Sequence, residues 1–103
     1  MNKEQFEKIT KWQDKTFGKA SAMSKVAHLI EEVEELNDCL VNNVEGQEID
    51  YEFADCFILL FGAASSFGMD YEYICKVINQ KMEINHKRKW GKANDNGVVH
   101  HKT

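Results

Sequence analysis

The sequence predicts an all-α fold of four helices, on three observations. The chain has 103 residues with no proline and only six glycines. A sandwich or barrel of many short strands would need more turn punctuation than that. Apolar residues recur at intervals of three and four in four separate stretches, the period of helices that bury one face. Short breaks between these stretches carry glycine or helix-capping residues.

The first helix is expected over residues 3–17, with Phe6, Ile9, Gln13 and Phe17 on one stripe, and it breaks at Gly18 and the following KASA. The second is expected over 24–41, striped by Val26, Leu29, Ile30, Val33, Leu36 and Leu40. NNVEGQ ends it, with Gly46 expected to take the left-handed conformation. The third is expected over 49–67 and closes at Gly68. Asp70 makes a good N-cap for a fourth over 71–90, lined by Ile74, Val77, Ile78 and Met82. The expectation is one domain over 1–103, with a core over about 3–90 and a tail over 91–103 that has no clear period.

The third helix is apolar almost all round, at Phe53, Cys56, Phe57, Ile58, Leu59, Leu60 and Phe61. Such a helix sits inside a bundle or is covered by another subunit. Few helices are available to cover it, so a homodimer or homotetramer is expected. Its apolar run over 53–64 is 12 residues and contains Asp55, too short to span a bilayer, which takes about 20. Cys39, Cys56 and Cys75 show no CxxC spacing and read as buried thiols in a reducing cytoplasm. The N-terminal MNKEQFEKIT is polar and has no apolar signal region.

Charge is segregated along the chain. Residues 1–25 carry six basic and three acidic residues; residues 26–75 carry 12 acids and no Lys or Arg; residues 76–103 carry seven basic and two acidic. An acidic middle is a poor surface for a nucleic-acid backbone, which wants a continuous basic face. It suits a site that holds cations on one side and phosphates on the other.

The acids are paired. Glu32 and Glu35 are three apart in the second helix, and Glu52 and Asp55 are three apart in the third, so each pair shares a helix face. No Lys or Arg lies within 20 residues of Asp55 on either side. A buried carboxylate must be protonated, paired or metal-bound. If the two helices pack antiparallel, the four carboxylates converge into an all-oxygen cage of the kind hard cations such as Mg2+ prefer. A solvated face is the ordinary explanation of one acidic run, and it is the reading kept for Glu34 and Asp38. The second pair, in an apolar helix, favours metal. Late in the fourth helix Lys81, Lys87, Arg88, Lys89 and Lys92 supply the complement, and Lys81 falls beside the apolar stripe, where it is expected to point inward. A basic helix end also complements the helix dipole, which is the ordinary account of Lys87 and Lys89.

At these residues the chain resembles the all-helical MazG-like nucleoside triphosphate pyrophosphohydrolases. Their EExxE and ExxD hallmarks match Glu31-Glu32-Val33-Glu34-Glu35 and Glu52-Phe53-Ala54-Asp55, and their N-x-K element matches Asn79-Gln80-Lys81. The ending NHKRKWGKANDNGVV is similar to the phage-encoded MazZ-like subgroup that acts on dATP and dGTP. The resemblance implies a four-helix MazG-like bundle completed by homo-oligomerisation. It implies hydrolysis between the α- and β-phosphates, giving a nucleoside monophosphate and pyrophosphate. Glu32, Glu35, Glu52 and Asp55 would be ligands of Mg2+, with Mn2+ as a substitute. Catalytic roles fall to Glu31, Glu32 and Lys81, with Glu31 a further ligand or the residue that orients the attacking water. Asn79, Lys81, Asn85 and Arg88 would bind substrate. His28 would look into the pocket from the second helix, and Trp12 would stack on the base, although packing is the commoner role for both. The implied partner is a nucleotide, with neither a nucleic-acid polymer nor a membrane, in the cytoplasm (that of the host, if the protein is phage-encoded).

Three alternatives remain open from the sequence. The same chemistry could act on a pyrimidine or modified nucleotide. A di-iron carboxylate bundle would want two Glu-x-x-His motifs, of which the chain offers only Glu83-Ile84-Asn85-His86. A non-catalytic helical interaction module would leave all the acids solvated.

Overall fold

The structure is a computed structural model that describes residues 1–88 and residue 99. Among them are four helices and no strand: α1 (Lys3–Phe17), α2 (Ala22–Val41), α3 (Gln47–Ser66) and α4 (Tyr71–Lys87). α4 ends at Lys87, short of the expected 90, with Arg88 already outside the helix; the basic residues Lys89 and Lys92 and the tail over 91–103 (Val99 apart) lie outside the described residues. Two compact units divide the chain, Met1–Glu72 and Tyr73–Thr103. The first holds α1, α2 and α3; the second is built on α4.

Side-chain caps set two of the helix starts. The Asn2 Oδ1 accepts from the Gln5 backbone N–H at 2.9 Å, and the Ser21 hydroxyl accepts from that of Ser24 at 3.1 Å. Each satisfies a donor that the first helical turn leaves orphaned. Two helix ends are closed by left-handed residues. At α3, Gly68 (φ +107°) lets Met69 N–H reach Ala64 O and Gly68 N–H reach Ser65 O, both at 3.0 Å. At α2 the corresponding residue is Asn43, not Gly46. Asn43 takes φ +55°, with Val44 N–H bonded to Cys39 O at 2.9 Å and Asn43 N–H to Leu40 O at 3.3 Å. Asn enters this region more readily than other side chains do. Gly46 (φ +81°) instead caps the start of α3.

The five residues 42–46 join α2 to α3 as a helical hairpin. Pairs across it show an antiparallel register: Lys25 beside Gly62, Glu32 beside Asp55, Cys39 beside Glu48. Each step of seven up α2 is a step of seven down α3, so one face stays turned to the partner over two turns. α1 lies on α3. Phe6, buried, meets Phe61 edge-on with ring centroids 6.0 Å apart and Tyr71 at 5.9 Å. Leu59, Gly62 and Ala63 are the buried residues of α3. The most buried side chain is polar. Gln13, 1% exposed, donates from Nε2 to the Ile58 carbonyl at 2.8 Å, and a methyl group on Gly62 would overlap its amide. Glycine at 62 is therefore what lets α1 approach α3 this closely.

The expected apolar stripe of α2 is only half covered. Leu29 and Leu36 are half-buried, while Val26, Ile30, Val33 and Leu40 are exposed. On α3, Phe53, Phe57 and Leu60 are exposed, Phe57 to 58%.

Candidate metal centre

The hairpin brings the two acidic pairs together. Glu32 from α2 and Glu52 and Asp55 from α3 each offer a carboxylate oxygen, and these oxygens lie within 4.8 Å of one another. Glu35, one turn along from Glu32, adjoins the group: after burial, its charge is the largest influence on Glu32. Burial, then Glu35, Asp55 and Glu52, push the Glu32 carboxyl above its ordinary range. The same surroundings raise the neighbouring thiols. Burial leads at both, followed by Glu32, Glu52 and Asp55 at Cys56, and by Glu52 and then Glu48 at Cys39.

A divalent cation fits this arrangement on two counts. The donors are hard carboxylate oxygens, the set that Mg2+ and Mn2+ take. Glu52 Oε2 is buried with no hydrogen-bond partner in the protein. A buried carboxylate oxygen without a partner carries a desolvation penalty that a cation removes.

The burial order within the cluster differs from the expectation. Asp55, read from sequence as the buried acid, is exposed; Glu32 and Glu52 are the partly buried ones. Asp55 lies at the mouth of the site, where it and Glu32 border a cavity of about 140 Å3 walled by Trp12, Gln13, Phe17 and His28. The rings form a chain. Trp12 and Phe17 meet edge-on at 5.6 Å, Phe17 and His28 edge-on at 6.4 Å, and His28 Nε2 stands 3.5 Å from Glu32 Oε1.

The sequence-predicted residues thus fall into three groups. Glu32, Glu52 and Asp55 converge, with Glu35 beside Glu32 and His28 on the cavity wall. Glu31 is exposed on α2 and is not one of the converging ligands. Asn79, Lys81 and Asn85 lie on α4 and Arg88 just beyond it, all in the second unit. Lys81 is exposed and does not point inward as its place beside the apolar stripe had predicted. Gln13, Phe17 and Lys25 line cavities here without belonging to any functional motif of the sequence. A signal for Lys25 existed, since Lys25, His28 and Glu32 are spaced three and four and so share one face of α2.

The sequence profile described as dATP/dGTP pyrophosphohydrolase matches residues 5–102. Among solved structures, the chain is similar to a cyanophage S-2L MazG-like pyrophosphohydrolase bound to dGDP and three catalytic Mn2+ ions per active site. The TM-score is 0.75 at 27% identity, covering 97% of this chain and 95% of that one. No curated protein matches the chain.

Proposed function

The chain belongs to the dATP/dGTP pyrophosphohydrolase family, and we propose that Glu32, Glu35, Glu52 and Asp55 hold the divalent metal on which its hydrolysis of dATP and dGTP depends. The observation that carries this reading is the convergence of Glu32, Glu52 and Asp55 around the unpartnered Glu52 Oε2. The similar cyanophage enzyme, with its Mn2+ ions and dGDP, supports it. A bound divalent cation would lower the pKa of coordinated water and neutralise charge on the transferring phosphoryl group.

The residues of this chain divide the remaining work. Glu31 stands beside Glu32 in sequence but outside the converging group, free to orient the attacking water and take its proton. Attack at the α-phosphorus breaks the α–β bridge, so the deoxynucleoside monophosphate and pyrophosphate leave as products. Lys81 and Arg88 bring positive charge to a substrate with several phosphate charges, and Asn79 and Asn85 offer neutral hydrogen bonds. These four roles rest on motif position and charge. His28, with Phe17 and Trp12, walls the cavity that adjoins Glu32 and Asp55, and we assign that cavity to the nucleoside.

Two further elements belong to the proposal. The exposed apolar faces of α2 and α3 are covered by a second copy of the chain, as a dimer or tetramer. No single helix among the described residues is long and apolar enough to cross a membrane, and we place the reaction in the cytoplasm. Membership of the pyrophosphohydrolase family favours this reading over the di-iron alternative. A panel of deoxynucleoside triphosphates with Mg2+ or Mn2+, its products resolved by chromatography, tests the reading. dATP and dGTP should yield monophosphate faster than dCTP, dTTP and dUTP. Faster turnover of any pyrimidine would remove the purine assignment and leave the metal site standing, whereas turnover without added metal would contradict the metal site.

A further inference from the structure

One buried charge has no part in the reaction described so far. Lys25 of α2 is 5% exposed. Its Nζ lies 3.5 Å from Asp14 Oδ1 and 3.5 Å from the Gly62 carbonyl oxygen. Charge-assisted bonds run at about 2.7–2.9 Å, so both contacts are long. An ammonium carries three donors, and a desolvated one without short partners is costly. With two long partners for three donors, Lys25 has room for a further acceptor.

Lys25 also borders a cavity. About 210 Å3 of space is bordered by Lys25, Ser24, Gln13, Phe17, His28 and Leu59, among others. Gln13, Phe17, His28 and Leu59 also border the cavity that reaches Glu32 and Asp55, so the two adjoin along the same wall. Lys25, His28 and Glu32 mark out this track on one face of α2, with about 10 Å of axial rise between Lys25 and Glu32. Carboxylates stand at one end, aromatic rings in the middle and a buried ammonium at the other. Gln13 stiffens the floor, its amide held by the Ile58 carbonyl and packed on Gly62.

We propose that Lys25 determines purine specificity by donating a hydrogen bond to the Hoogsteen edge of the base, at N7 of either purine and also at O6 of guanine. The inference rests on the proposed metal centre, which sets the direction in which the nucleotide lies. The chemistry selects the base. N7 is an acceptor on both adenine and guanine, guanine adds the O6 acceptor, and adenine has an amino donor there instead. Pyrimidines have no five-membered ring and so no N7. A lysine here accounts for acceptance of both purines by one site, and it favours guanine.

The test compares kcat/KM for dGTP and 7-deaza-dGTP, which lacks only the N7 acceptor, on the wild type and on Lys25→Met. The wild type should prefer dGTP by about tenfold, the scale of one good base contact. Lys25→Met should lose most of its activity toward dGTP and turn over the two nucleotides within about twofold of each other, because the group that told them apart is gone. A merely structural Lys25 would depress both substrates alike and leave the wild-type ratio unchanged, which would overturn the proposal. A wild-type ratio near one would also overturn it, and that measurement decides alone if Lys25→Met does not fold. Failure of the metal-centre reading looks different: neither nucleotide would respond to added Mg2+ or Mn2+.

Discussion

Glu52 is the residue at which burial and chemistry conflict most openly. Its Oε2 is sealed from solvent and has no protein partner, while Glu32 and Asp55 crowd it with like charge. Glu52→Gln keeps the shape and removes one negative charge. Activity should fall by about a hundredfold or more, as it does when a metal's surroundings are disrupted. The metal-free variant should melt no lower than the wild type, and Mg2+ should raise its Tm by less, since a ligand stabilises only the state that binds it. Asp38→Asn, on the solvated side of α2, should change neither quantity. Glu32 adds a pH dependence. Burial and its acidic neighbours hold its carboxyl above the ordinary 4.5, so the folded protein binds this proton more tightly than the unfolded chain does. That contribution to stability is complete below the unfolded value and is lost as pH rises through the raised folded one. In metal-free buffer, the Tm of Glu32→Gln relative to wild type should therefore climb as pH increases from 4.5 toward neutrality. A constant difference across that range would refute the shift.

At the scale of elements, the close seating of α1 on α3 through Gln13 and Gly62 makes a direct prediction. Gly62→Ala puts a methyl group into the Gln13 amide, and overpacking of this kind costs about 1–3 kcal/mol. Urea denaturation should show the loss, and an unchanged midpoint would mean that α1 can move away freely. This contact also marks how far the sequence was legible. The helices were readable because their stripes and breaks are local, and the starts of α1 and α4 fall at the expected residues. The two acidic pairs were readable because a spacing of three on each helix already puts them on one face. The end of α2 at Val41 falls where expected, but the residue that closes it was not legible, because Asn43 and Gly46 can both adopt positive φ and only the hydrogen bonds to Cys39 and Leu40 choose between them. Gln13 already stood on the stripe of the first helix, but its partner Ile58 is 45 residues away, and the burial of Lys25 is set by a contact with Gly62, 37 residues away; no local pattern records either pairing. Asp55 was read as buried from its apolar neighbours, yet those neighbours point to other faces of α3 and leave it at the edge of an open cavity.

For the whole molecule, the exposed apolar side chains lead to a prediction about assembly. Ile30, Val33 and Leu40 on α2 and Phe53, Phe57 and Leu60 on α3 are all exposed in the single chain, and contiguous apolar patches beyond a few hundred Å2 mark interfaces. Light scattering at micromolar protein should report at least a dimer, with Phe57→Glu or Leu60→Glu shifting it toward monomer. A monomeric wild type would leave these side chains without an explanation. The claim on which the rest depends is that the converging carboxylates hold the cation for cleavage between the α- and β-phosphates. The most direct measurement follows dATP by phosphorus NMR with wild type and Glu52→Gln, each with Mn2+ and with the metal chelated. The account predicts dAMP and pyrophosphate in equal amounts from the wild type with metal, and almost no turnover in the other three samples. Release of orthophosphate with dADP, or undiminished turnover by Glu52→Gln, would contradict it.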